Sequence, residues 1–292
     1  MGKLNTRILY NREGKLKSIW WVVIFFLILF CFLFPLILLS QHFHFEITLW
    51  HQVLIILAVS VICQALGGRA QAELAGRIDK KWLAQLSAGM VIGALLMIFP
   101  ALLLLAVGAV RWELTNLSFA AAASGILVIA SAVLAEELLF RGFIFQRLIH
   151  AFGTWPAQLI IGFMFVLTHL NNPGMAGTTK MLSSVNIFIA SVLFGVSYIA
   201  TKRLAMPIGI HLMANFVQGT VLGFGVSGNE ESGFLKPVFV HEAEWFTGGD
   251  FGLEASAPGL FFVVVTCICF YYYLERNTTS LRKKAFRQAN AK

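Results

Sequence analysis

The sequence predicts an all-α fold: a polytopic bundle of about eight transmembrane helices with both termini in the cytoplasm. Three observations carry that prediction. First, 58% of the 292 residues are hydrophobic and only 12% charged, with a mean hydropathy of +0.79, against about 45–50% and about 25% in a soluble domain. Second, apolar runs near the roughly 20 residues that a helix needs to cross the hydrocarbon core recur along the chain. Third, the basic residues gather at the ends of alternate runs, which is the pattern of cytoplasmic anchors.

Taken in order, the candidate spans are 18–40, 47–66, 84–110, 119–149, 155–170, 182–201, 205–226 and 257–275. The first is too long for the apolar region of a signal peptide and is kept as a span. The fourth is unusually long and the fifth short. Lys3, Arg7, Arg12, Lys15 and Lys17 precede the first span, and Arg69, Arg77, Lys80 and Lys81 follow the second. Lys202 and Arg203 separate the sixth from the seventh, and Arg276, Arg282, Lys283, Lys284 and Arg287 follow the last. With eight spans all four clusters fall on one side, which the positive-inside rule makes cytoplasmic. The opposite side receives the acidic loop 227–256, where Glu230, Glu231, Glu242, Glu244, Asp250 and Glu254 face Lys236. That loop is expected to be a cap, a partner site or mobile. Residues 1–292 read as a single integral membrane domain.

The net charge of +8 does not point to nucleic acid, because the basic residues sit at span ends and form no compact patch. Trp20, Trp21, Trp50, Trp82 and Trp112 lie near span ends, where indoles favour the interface. Gly89, Gly93 and the Ala/Gly/Ser run at 119–125 are small-residue faces that permit close helix contact. Pro35 and Pro100 fall late in apolar runs, where a kink or a span end is expected. Cys31, Cys63, Cys267 and Cys269 lack a spacing suited to a metal or a disulfide and read as small buried hydrophobes.

The anomaly is Glu136, Glu137 and Arg141 inside the fourth span. Ionisable groups at bilayer depth are costly and by default functional. On a helix Glu137 and Arg141, four apart, share a face and can pair. Glu136 lies about 100° away and cannot share that partner equally. One carboxylate is held and its neighbour is left available. His169 ends the fifth span, and His211 and Asn215, four apart, share a face of the seventh. If spans four and five turn near 149–155, Glu136 and His169 each lie about 20 Å from the turn and face each other. His211 lies only about 10 Å from the Lys202/Arg203 boundary, so joining it to the group requires a tilted or partly unwound seventh span.

Such a group is suited to water activation. Glu136, helped by His169, takes a proton from a water that attacks a carbonyl, and His211 and Asn215 donate to the developing oxyanion. The alternative is Zn²⁺ held by Glu136, His169 and His211, although the His-Glu-x-x-His signature is absent. The preferred reading requires no cofactor and leaves the metal unknown. A structural charge cluster that welds helices together is the non-catalytic reading of the same residues.

At Glu136-Glu137-x-x-x-Arg141, Phe165-x-x-x-His169 and His211-x-x-x-Asn215 the sequence resembles the CPBP family of intramembrane proteases. That group includes the CAAX prenyl endopeptidases and bacteriocin-processing or self-immunity proteins. The resemblance covers about 119–226 and carries all three motifs in order. It implies an all-helical intramembrane endopeptidase of the bacterial cytoplasmic membrane acting on a membrane-associated or lipidated peptide. It implies that Glu136 and His169 hold the attacking water, that His211 and Asn215 form the oxyanion site, and that Glu137 and Arg141 support it. The cut is expected near the cytoplasmic half of the bilayer. The other readings to be weighed are a non-catalytic scaffold or immunity protein and, behind it, a small transporter.

Overall fold

The computed structural model describes the backbone of residues 6–240 and 243–289 and the side chains of 8–240 and 243–276. The side chains of Lys3, Arg7, Glu242, Arg282, Lys283, Lys284 and Arg287, used above for orientation, lie outside the described residues. The long helices are α1 (Ser18–Phe43), α2 (Leu49–Leu66), α3 (Lys80–Ala106), α4 (Phe119–Glu137), α5 (Phe145–Phe152), α6 (Thr154–His169), α7 (Gly177–Thr201), α8 (Ala205–Phe216) and α9 (Ala257–Ala289). A π-helical segment, Leu138–Ile144, joins α4 to α5, and another, Val217–Val221, extends α8.

Each of the eight expected spans has a helix, but among the described residues six helices are long and apolar enough to cross a bilayer. The α6 helix has 16 residues, about 24 Å at 1.5 Å per residue, and the helical part of α8 has 12. Both are packed among longer neighbours. Gly89 and Gly93 of α3 meet the Met206 and Ile210 carbonyls of α8, and Gly209 meets Leu86 in return, so closely that a Cβ at any of the three would overlap backbone. This is the small-residue contact expected at Gly89 and Gly93. The run 119–125 does not behave so. Only Ala122 within it is buried, because the start of α4 stands away from its neighbours.

The two ends of the bundle differ in kind. At one end the Arg203 guanidinium grips both carboxylate oxygens of Asp79 and the Arg77 carbonyl. Asp79 also caps α3, accepting from the Trp82 N–H at 2.9 Å. Residues 67–79 fold inward here: Gln146 donates to the Glu73 carbonyl at 2.8 Å, and the Leu204 N–H to the Ala75 carbonyl at 3.1 Å. At the other end a two-stranded antiparallel sheet pairs β1 (Val110–Leu114) with β2 (Leu235–Phe239), Trp112 opposite Pro237.

The loop 227–256 is a folded cap. Beyond β2 it forms a short helix, Glu244–Thr247, and two 3₁₀ turns, Gly249–Phe251 and Leu253–Ala255. It buries Phe251, Leu253 and Ala255 against the bundle. Thr115 holds it through the Gly233 carbonyl at 2.6 Å, and the Trp112 indole donates to the Leu222 carbonyl at 2.9 Å. Glycine is required at Gly223, whose φ is +73° and whose position is pressed against the Leu235 carbonyl.

Candidate active site

The site is built where α4 stops being regular. After Glu137 the helix widens to a π turn, and Gly142, at ψ −113°, breaks it before α5 resumes. Insertions of this kind are frequent at functional sites. Glu137 and Arg141 still meet across it, Nη1 to Oε1 at 3.1 Å, and both side chains are 0% exposed.

Glu137 is a hub. Its Oε1 also accepts from His211 Nδ1 at 3.0 Å. Arg141 donates through Nη2 to the Ser191 hydroxyl at 2.7 Å and to the Ser191 carbonyl at 3.3 Å. Its guanidinium lies over the rings of Phe165 and Phe194, 4.7 and 5.1 Å from their centroids. The His211 imidazole stacks on Phe194 with 4.6 Å between centroids. A charge buried this far is tolerated because it is paired, hydrogen-bonded and faced by aromatic rings.

Glu136 is treated differently. Its side chain keeps 30% exposure, and its nearest cationic partner is His211, Nε2 to Oε2 at 3.7 Å, which is beyond a hydrogen bond. Among the described residues Oε2 has no hydrogen-bond partner. His169 Nδ1 lies 2.7 Å from the Phe165 carbonyl. A carbonyl only accepts, so Nδ1 carries the proton and Nε2 is left as the free nitrogen. The phenylalanine of the Phe165-x-x-x-His169 motif therefore supplies a carbonyl to His169 and a ring to Arg141.

Glu136, His169, His211 and Asn215 all line one cavity of about 560 Å³ between α2, α4 and the start of the cap. The six expected residues are thus brought together, with one change of pairing. His211, not His169, is the direct neighbour of Glu136. Nor is the seventh helix unwound at His211. The α8 helix is regular through Phe216 and widens only afterwards. His211 sits in the second turn of α8, which starts at Ala205 and is tied to residues 67–79 by the Leu204 N–H to the Ala75 carbonyl. The cavity is bordered by Val226, Ser227, Asn229 and Glu231 at the start of the acidic cap.

Sequence reasoning misses Ser191, Phe194, Ser227 and Glu254. The first two sit in an ordinary apolar helix and carry no signal. Glu254, three residues before α9, reads in the sequence as part of the acidic loop, yet it folds into the bundle. Its oxygens accept from Gln218 Nε2 at 3.0 Å and the Ser227 hydroxyl at 2.9 Å. Burial pushes its carboxyl above the ordinary range, while the hydrogen bond from Ser227 pulls it down. At the cavity rim, Glu231 is likewise raised by burial.

Among the described residues no three of His, Cys, Asp or Glu converge in a way that could hold a metal ion. One nitrogen of His211, Nδ1, is turned to Glu137, and the other, Nε2, faces Glu136.

Residues 116–217 match the family described as Type II CAAX prenyl endopeptidase Rce1-like. The matched segment contains all three motifs and ends before the cap. No curated protein matches the chain.

Proposed function

We propose, on the premise that residues 116–217 match the Rce1-like CAAX prenyl endopeptidases, that this integral membrane protein hydrolyses a peptide bond of a membrane-associated or lipidated polypeptide. One observation carries the reading. An underpaired carboxylate, Glu136, shares a water-sized or larger space with the imidazoles of His169 and His211 and the Asn215 amide.

Glu136 takes a proton from a water as its oxygen bonds to the scissile carbonyl carbon. His169, with Nδ1 fixed on the Phe165 carbonyl, presents Nε2 to the same water. His211, oriented through Nδ1 by Glu137, and Asn215 donate to the oxyanion that develops. The C–N bond then breaks and the proton held by Glu136 passes to the leaving amine. Glu137 and Arg141 fix His211 and touch no substrate.

By the positive-inside rule we assign the Asp79–Arg203 end to the cytoplasm, which puts both termini there. The cavity then serves the outer half of the bilayer, and the cut is assigned there instead of to the cytoplasmic half. The compartment we assign is a bacterial cytoplasmic membrane, with the chain acting as one integral unit. The test is comparative proteomics of membranes carrying wild type or Glu136→Ala. The reading requires at least one precursor that stays uncut only in the variant. Identical membrane peptidomes, with both proteins equally expressed, favour a non-catalytic scaffold.

A further inference from the structure

Two cavities meet at the histidines. The larger, about 560 Å³, contains Glu136. The smaller, about 50 Å³, contains Glu254. The residues that line both include His169, His211, Asn215 and Ser227. The two imidazoles and one amide therefore form a wall with a carboxylate on each side.

We propose that Glu254 is a positioning residue of the hydrolytic site, a second carboxylate that faces the histidine pair from the side opposite Glu136 and sets their charge during turnover. The proposal rests on the hydrolytic reading above, and Glu254 lies outside the segment 116–217 that the family match covers.

The surroundings leave Glu254 little else to act on. The small cavity is otherwise walled by Leu96 and Met97 of α3, Asn186, Ile187 and Phe194 of α7, and Val263 of α9, among others, none of them charged. In so apolar a space a charge acts strongly on its neighbours. The histidines feel Glu136, Glu137 and Arg141 from the α4 side, Glu231 from the cavity rim and Glu254 from the cap. Both Glu254 oxygens accept hydrogen bonds, from Gln218 and Ser227, which suits an ionised carboxylate. A negative charge behind an imidazole favours the imidazolium form, the form that can donate to an oxyanion or a leaving amine. About 50 Å³ also leaves room for roughly one water to link Glu254 to an imidazole. The hydrolytic wall is thus incomplete without the cap, which delivers Glu254 and, through Ser227, holds it.

The experiment compares wild type, Glu254→Gln and Glu254→Asp on a precursor peptide that wild type cleaves. Glutamine keeps the shape and can still bond Ser227, so folding should survive, as checked by thermal melting in detergent. The expected result for Glu254→Gln is a kcat lower by about 10–100-fold with KM within about two-fold. Its pH–rate profile moves toward acid by about one unit, the low end of what a nearby charge produces. Glu254→Asp restores part of kcat. A wild-type kcat and profile in Glu254→Gln overturns the proposal, and so does a loss of activity that follows only a loss of melting temperature. A second readout is independent of cleavage. The ¹⁵N signals of His169 and His211 at one fixed pH should report a smaller charged fraction in Glu254→Gln. If wild type cuts nothing yet those signals change, the hydrolytic reading fails while the placement of Glu254 stands. If they do not change, Glu254 has no hold on the histidines.

Discussion

Arg141→Met isolates the buried ion pair on which the site rests. The substitution removes the 3.1 Å contact to Glu137, the 2.7 Å hydrogen bond to Ser191 and the stacking over Phe165 and Phe194. It leaves Glu137, 0% exposed, with His211 as its remaining partner. A charge-assisted hydrogen bond is worth about 1.5–3 kcal/mol, and breaking a buried pair from one side costs about 3–5 kcal/mol. About 4 kcal/mol is therefore expected, close to a thousand-fold in the folding equilibrium. Removing both charges in Glu137→Gln/Arg141→Met should recover most of that, because a buried pair replaced as a whole is often neutral. The double variant should nonetheless cleave poorly, since His211 Nδ1 loses its carboxylate. Equilibrium unfolding in mixed micelles, followed by circular dichroism, measures the stabilities. A cost below about 1 kcal/mol for Arg141→Met, or a double variant as unstable as the single, would refute the reasoning.

Gly93→Ala places a methyl group against the Ile210 carbonyl and should cost about 1–3 kcal/mol by overpacking. It should also lower cleavage by displacing the helix that carries His211; unchanged melting and rate would contradict the α3–α8 contact. Asp79 is held well below the usual carboxylate range, chiefly by its hydrogen bond to Arg203. With its folded value depressed, its stabilisation is present above the unfolded value of about 3.9 and fades as pH falls through the folded one. Melting temperatures of wild type and Asp79→Asn should therefore differ by a constant amount from about pH 7 to 5 and converge only below about pH 4. Protein dialysed against a strong chelator should retain its cleavage rate, and restoration of a lost rate by Zn²⁺ would overturn the metal-free mechanism proposed.

How far the sequence can be read depends on which interactions decide each element. Eight helical segments are legible because hydrophobic runs and charge placement are local features, and the second helix ends at Leu66, where the span 47–66 puts it. The separation of Glu137 from Glu136 is legible because helical spacing alone divides their partners. The pairing of His211 with both Glu136 and Glu137 is not, because it depends on how α8 packs against α4, a tertiary event that no periodicity records. The π turn at Leu138–Ile144 is equally silent, since a single glycine, Gly142, in an apolar run weakens a helix but does not specify a widened turn. The β1–β2 pair and the cap join residues more than a hundred positions apart. Glu254 reads as a solvated acid of a loop because only the folded cap turns it inward. The run 119–125 misleads in the opposite sense: small residues permit contact but do not compel it.

The role proposed for Glu136 is activation of the attacking water. The most direct measurement reconstitutes wild type and Glu136→Gln with one verified precursor in H₂¹⁸O and reads the product by mass spectrometry. The account predicts that wild type yields a new carboxyl terminus carrying one ¹⁸O, and that Glu136→Gln, equally folded, yields no product above background. Cleavage by Glu136→Gln at the wild-type rate would contradict it.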